Sequence, residues 1–163
     1  MTWSRALRGL VVFSVLITLH YTLRPLLGWR APVDFLVIAV LLTAVRVRPG
    51  VAAVVGLLTG ISADALTPES FGCAALAFTG VAYLASWLKA VFFADNFALN
   101  AIFFFLGKWG ADVVIVLAER RLRGLDLLQQ VLLWSPLSAL VTALAGLVLL
   151  VILRPLLDEP AVA

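Results

Sequence analysis

Residues 97–118 read FALNAIFFFLGKWGADVVIVLA. At 1.5 Å of rise per residue this apolar run is long enough to cross the ~30 Å hydrocarbon core of a bilayer as one helix. Asp95 and Asn96 precede it, and the charged stretch from Glu119 to Arg123, followed by Gly124, stops it. Near its middle stand Lys108 and Asp112, four residues apart and therefore on one helical face. A charge at the centre of an isolated span costs at least ~2.5–3.5 kcal/mol on insertion scales. The two are therefore expected to pair and to face the interior of a helical bundle. Such a pair either fixes packing and register or forms a polar site for a solute or proton.

The rest of the chain repeats the pattern of that run. Of 163 residues, 64% are hydrophobic and 13% charged, against roughly 45–50% and about 25% in soluble domains. The charged residues cluster between apolar stretches, as they do when lipid is the solvent. The expected spans are 6–28, 32–45, 49–66, 71–88, 97–118 and 136–153, a single multi-pass domain of six helices, or five if the second does not cross. Trp3 and Trp29 bracket the first span, which reads as uncleaved because no small-residue cleavage pattern follows it. The second is short, opened by Pro32 and Asp34 and closed by Arg46 and Arg48. Asp34 suits a helix start, where a carboxylate meets the positive end of the helix dipole. Pro136 divides the last apolar stretch, so residues 125–134 are expected to lie along the interface. The alternation of a membrane β-barrel is absent.

The third span carries the most regular pattern. Ala52, Gly56, Gly60 and Asp64 recur every four residues and share one face. Small residues at that spacing let another helix approach closely, either within this chain or from a partner protein. Asp64, at the end of the face, is expected to cap the turn from Thr67 to Ser70, or else to accept a bond from Lys108 or a partner.

Positive charge does not orient the bundle strongly. With six spans, Arg5, Arg8, Arg46, Arg48, Lys89 and Arg154 fall on the N-terminal side, and Arg24, Arg30, Arg120, Arg121 and Arg123 on the other. The small excess favours a cytoplasmic N-terminus. These residues read as topology determinants with a secondary attraction to anionic lipid, which argues against nucleic acid as a partner.

Catalytic chemistry finds little support. There is no phosphate-binding glycine loop, no HExxH, no GxSxG and no pair of intramembrane aspartates. Ser62 and Ser135 have no histidine in a recognisable motif. The lone Cys73 excludes an internal disulfide and a cysteine zinc site and reads as a small buried hydrophobe, and the lone His20 reads as a packed residue. No cofactor or metal is expected.

From Pro32 to Leu88 the chain resembles the rod shape-determining protein MreD family of bacteria. The resemblance lies in an ordered series. A Pro32–Asp34 start opens an apolar run to Arg46 and Pro49, followed by Gly56, Gly60 and Asp64, then Pro68, Gly72, Leu76, Gly80 and Tyr83. This sequence departs from the family pattern in having one residue between Pro32 and Asp34 and two between Gly80 and Tyr83. The resemblance implies a non-enzymatic, multi-pass scaffold of the bacterial inner membrane in the cell-wall elongation machinery. It would bind an MreC-like single-span protein, and through it the peptidoglycan glycosyltransferase and transpeptidase and the actin-like filament. It also implies a six-helix fold similar to the substrate-binding subunits of energy-coupling-factor transporters. The alternative function is accordingly a vitamin-type binding subunit of a membrane transporter.

Overall fold

The computed structural model describes residues 3–27, 33–92, 96–120, 122 and 124–157. Trp29, Arg30, Pro32, Asp95, Arg121 and Arg123 lie outside the described residues, as do the side chains of Trp3, Arg5, Arg8, Arg24 and Arg154.

Every regular element among the described residues is helical: α1 (Trp3–Leu27), α2 (Phe35–Ala44), α3 (Pro49–Asp64), a short 3₁₀ turn (Pro68–Ser70), α4 (Cys73–Phe92), α5 (Phe97–Glu119), α6 (Leu125–Gln129) and α7 (Ser135–Leu157). Local chemistry sets several of the ends. The Asp34 side chain accepts from the N–H groups of Leu36 and Val37, and Asn96 accepts from that of Ala98. Pro49 occupies the first turn of α3, where its missing N–H is no loss. Arg120 ends α5 in the left-handed conformation at φ 52°.

The second helix is shorter than a span. Ten residues of α2 rise about 15 Å, half the hydrocarbon thickness. Nine of the ten are buried, from Phe35 through Leu42 and at Ala44. α1, α3, α4, α5 and α7 all touch it, so α2 is the apolar axle of the bundle. Thr43, its remaining residue, returns its hydroxyl proton to the carbonyl of Ala39. Such a segment needs no charge pattern to position it, because its whole circumference is core.

The break expected at Pro136 is corrected by the structure. α6 runs through a π turn, Gln130–Trp134, directly into α7, with no break at Pro136. Proline has no N–H to give the preceding turn, and the ladder accommodates this by widening. The N–H of Ser135 reaches back five residues to the carbonyl of Gln130. The carbonyl of Val131 is thereby released, and the indole of Trp109 on α5 donates to it at 3.2 Å. The described residues therefore form six helical rods. Two stretches, Phe97–Glu119 and Leu125–Leu153, are long and apolar enough to cross a membrane by length and composition.

Large apolar side chains are exposed in number, while several polar side chains are buried. Leu10, Leu58, Leu76, Leu84, Trp87, Leu132, Leu144 and Ile152 point outward and are exposed, Trp87 at 69%. The interior holds His20, Asp64, Asn100, Lys108, Ser135 and Thr142. Extensive exposed apolar surface around buried polar contacts is unfavourable in water and favourable in lipid.

Candidate functional site

The small-residue face is internal. Of all helix pairs, α3 and α4 pack most extensively. A Cβ placed on Gly56 would lie 2.3 Å from the carbonyl oxygen of Phe78, and one on Gly60 would lie 2.3 Å from the Cα of Ala75. In both cases the obstacle is α4 backbone, which cannot swing aside as a side chain can. Ala52 is 1% exposed on the same face. The close approach that the four-residue spacing allows is thus used by α4, and no room remains there for a second helix.

Asp64 completes that face by hydrogen bonding at a helix end, though with other donors than the turn expected from sequence. Its carboxylate accepts from the N–H groups of Gly72 at 3.0 Å, Ala74 at 3.0 Å and Ala75 at 2.9 Å. The acceptor expected to cap the Thr67–Ser70 turn instead reaches past it. It satisfies free donors at the N-terminal end of α4, where helix geometry leaves them without intrahelical partners. Gly72, at φ 97°, supplies the backbone conformation that turns the chain back toward the carboxylate. The bond from Lys108 considered for Asp64 is made to other acids.

Lys108 and Asp112 pair as the spacing predicts, with Nζ 2.5 Å from Asp112 Oδ1. A second carboxylate joins them: Lys108 Nζ lies 2.9 Å from Asp34 Oδ2. Asp34 is therefore more than a helix-start residue. One oxygen caps α2 and the other holds α5, while its backbone N–H donates to Thr142 Oγ1 of α7 at 3.1 Å. His20 of α1, expected only to pack, brings its Nδ1 to 3.5 Å from Asp34 Oδ1 and sets its ring edge-on to Tyr21. Four helices, α1, α2, α5 and α7, thus converge on one aspartate. Nothing in the sequence pairs positions 34 and 108, which are 74 apart. The available signal was the imbalance of a buried lysine, a lone histidine and an aspartate on separate apolar runs.

A pocket of about 340 Å³ opens beside this cluster, between the C-terminal halves of α1, α3 and α5 and the beginnings of α2, α4 and α7. Ser135 borders it, 1% exposed, and its hydroxyl has no hydrogen-bond partner among the described residues. Cys73 is half-buried at the same pocket rather than enclosed in core. Among the described residues no group of three or more histidine, cysteine, aspartate or glutamate side chains is arranged to hold a metal ion. Phe103 and Phe104 pack edge-to-face within the core, and Phe105 packs against it.

Comparison of the chain with protein-family models, with curated proteins and with solved structures finds no match.

Proposed function

We propose that this protein is a non-enzymatic, multi-pass scaffold of the bacterial inner membrane, similar to MreD, serving the cell-wall elongation complex. It would bind an MreC-like single-span partner and, through it, the peptidoglycan synthases and the actin-like filament. The observation that carries this reading is the use made of the residues on which the resemblance rests. Asp34, Gly56, Gly60 and Asp64 all serve helix ends and helix contacts within the bundle. They build a framework, and the framework presents an apolar exterior suited to lipid and to a neighbouring helix. Because α4 covers the small-residue face, the internal one of the two uses that its spacing allows, the partner's helix belongs on the outer surface rather than at Gly56 and Gly60.

Affinity purification of the tagged protein from its native membranes in mild detergent tests the proposal. The expected co-eluting species is an MreC-like single-span protein, with or without wall-synthesis enzymes. The second reading, a small-molecule binding subunit of a transporter, draws on the pocket bordered by Asp34, Lys108, Asp112 and Ser135. It predicts recovery of an ATPase module with its coupling subunit instead, and that result would replace the scaffold proposal.

A further inference from the structure

The pocket beside the Asp34–Lys108–Asp112 cluster has a marked charge imbalance. Among the described residues Asp34, Asp64, Asp112 and Glu119 line it, against the ammonium of Lys108 and the imidazole of His20. Lys108 already lies between Asp34 and Asp112, so its charge is not available to attract an anion. Glu119, half-buried at the end of α5, makes no ion pair among the described residues. An anionic ligand would meet repulsion from these carboxylates, whereas a cation would be attracted to them.

Ser135 supplies an observation independent of charge. Its hydroxyl is buried at the pocket and unsatisfied among the described residues, an arrangement that buried polar groups ordinarily avoid. An incoming N–H donor would satisfy it. Trp134 and Phe78 add aromatic side chains to the lining. At about 340 Å³ the pocket falls at the small end of the range for organic ligands, roughly 300–1,000 Å³. A bare metal ion is disfavoured by the lack of a convergent ligand set among the described residues.

We propose that this pocket binds a primary ammonium group, brought either by a small free amine or by the ethanolamine headgroup of a membrane lipid. A primary ammonium offers three N–H donors, enough to engage the Ser135 hydroxyl and carboxylate oxygen together. A quaternary ammonium carries the charge without the donors, and an alcohol lacks the charge. The proposal concerns the pocket itself and is independent of which protein complex the chain joins.

The test uses the purified full chain in nanodiscs of phosphatidylcholine and phosphatidylglycerol, which contain no primary amine. Thermal unfolding is followed with ethanolamine or tryptamine, and with choline or tryptophol as controls. At a hundredfold excess over Kd the amines are expected to raise Tm by on the order of 5 °C, and the controls to leave it unchanged. In a parallel arm phosphatidylethanolamine replaces phosphatidylcholine. A Tm rise confined to that arm assigns the ammonium to the lipid headgroup; a rise with soluble amine assigns it to a free ligand. In either case Glu119→Gln and Ser135→Ala should abolish the shift while leaving a folded protein, because neither residue belongs to the Lys108 ion cluster. No shift from either source, equal shifts with choline or tryptophol, or an undiminished shift in both variants would overturn the proposal. None of these readouts requires a protein partner, so they separate this inference from the scaffold reading.

Discussion

At the scale of single residues, buried charges here act as fasteners whose strength depends on leaving none alone. Lys108 lies between two carboxylates, so removing it would leave Asp34 and Asp112 facing each other without that ammonium. Lys108→Met is expected to lose about 3–5 kcal/mol of stability, the magnitude seen when one partner of a buried pair is removed. Lys108→Met combined with Asp34→Asn and Asp112→Asn should recover part of that loss, because the neutral cluster has no stranded charge. Thermal unfolding of the purified single and triple variants in detergent checks the order; a triple variant no more stable than the single one would refute the argument. Asp64 works through hydrogen bonds instead. Asp64→Ala removes the acceptor for three N–H groups and should cost at least about 3 kcal/mol at roughly 1–3 kcal/mol per buried unsatisfied donor. Loss of helicity or Tm in the variant measures it.

At the scale of helices, contact distance decides which small residues matter. Gly60→Ala places a methyl group against α4 backbone and is expected to cost about 1–3 kcal/mol through overpacking. Gly60→Leu and Gly56→Leu should abolish the folded protein altogether, with aggregation on size-exclusion chromatography. Gly80→Ala is the control. It lies on the exposed side of α4, with no atom within 4 Å of the added Cβ, and should be tolerated or slightly stabilising through its better helix propensity. Folded Gly56→Leu protein that selectively lost a co-purifying helix would contradict the internal role of this face. The π turn is a second element-level device, held where Trp109 donates to the Val131 carbonyl. Trp109→Phe removes that donor while keeping an aromatic ring. Faster hydrogen exchange in residues 130–135 is the expected result, and unchanged exchange would show that Pro136 alone maintains the turn.

At the scale of the whole molecule, the exposed apolar side chains give the membrane proposal its own test. In a Cys73→Ser background, Leu140→Cys and Leu144→Cys place thiols on exposed apolar positions of α7, and Glu69→Cys places one on the exposed turn before α4. In intact membranes a water-soluble maleimide should label the Glu69 position and spare the two α7 positions. Labelling of all three would be inconsistent with lipid around α7.

Composition and apolar run length were sufficient to indicate the helical bundle, because helix geometry acts locally and leaves a record in every segment. The spacing of Ala52, Gly56, Gly60 and Asp64 disclosed a close-packing face, and the spacing of Lys108 and Asp112 disclosed a pair, since both depend only on helical periodicity. The identity of what meets such a face or pair is not a periodic property. Only the tertiary structure assigned α4 to the glycine face, Asp34 and His20 to the Lys108 cluster, and the α4 backbone donors to Asp64. The same limit explains α2 and the π turn. A ten-residue apolar run reads alike as a short span or a buried axle, and Pro136 reads alike as a break or a widened turn. The choice rests on the helices packed around them: α2 is covered on nearly every side, and α5 offers an indole to the carbonyl that the widened turn releases.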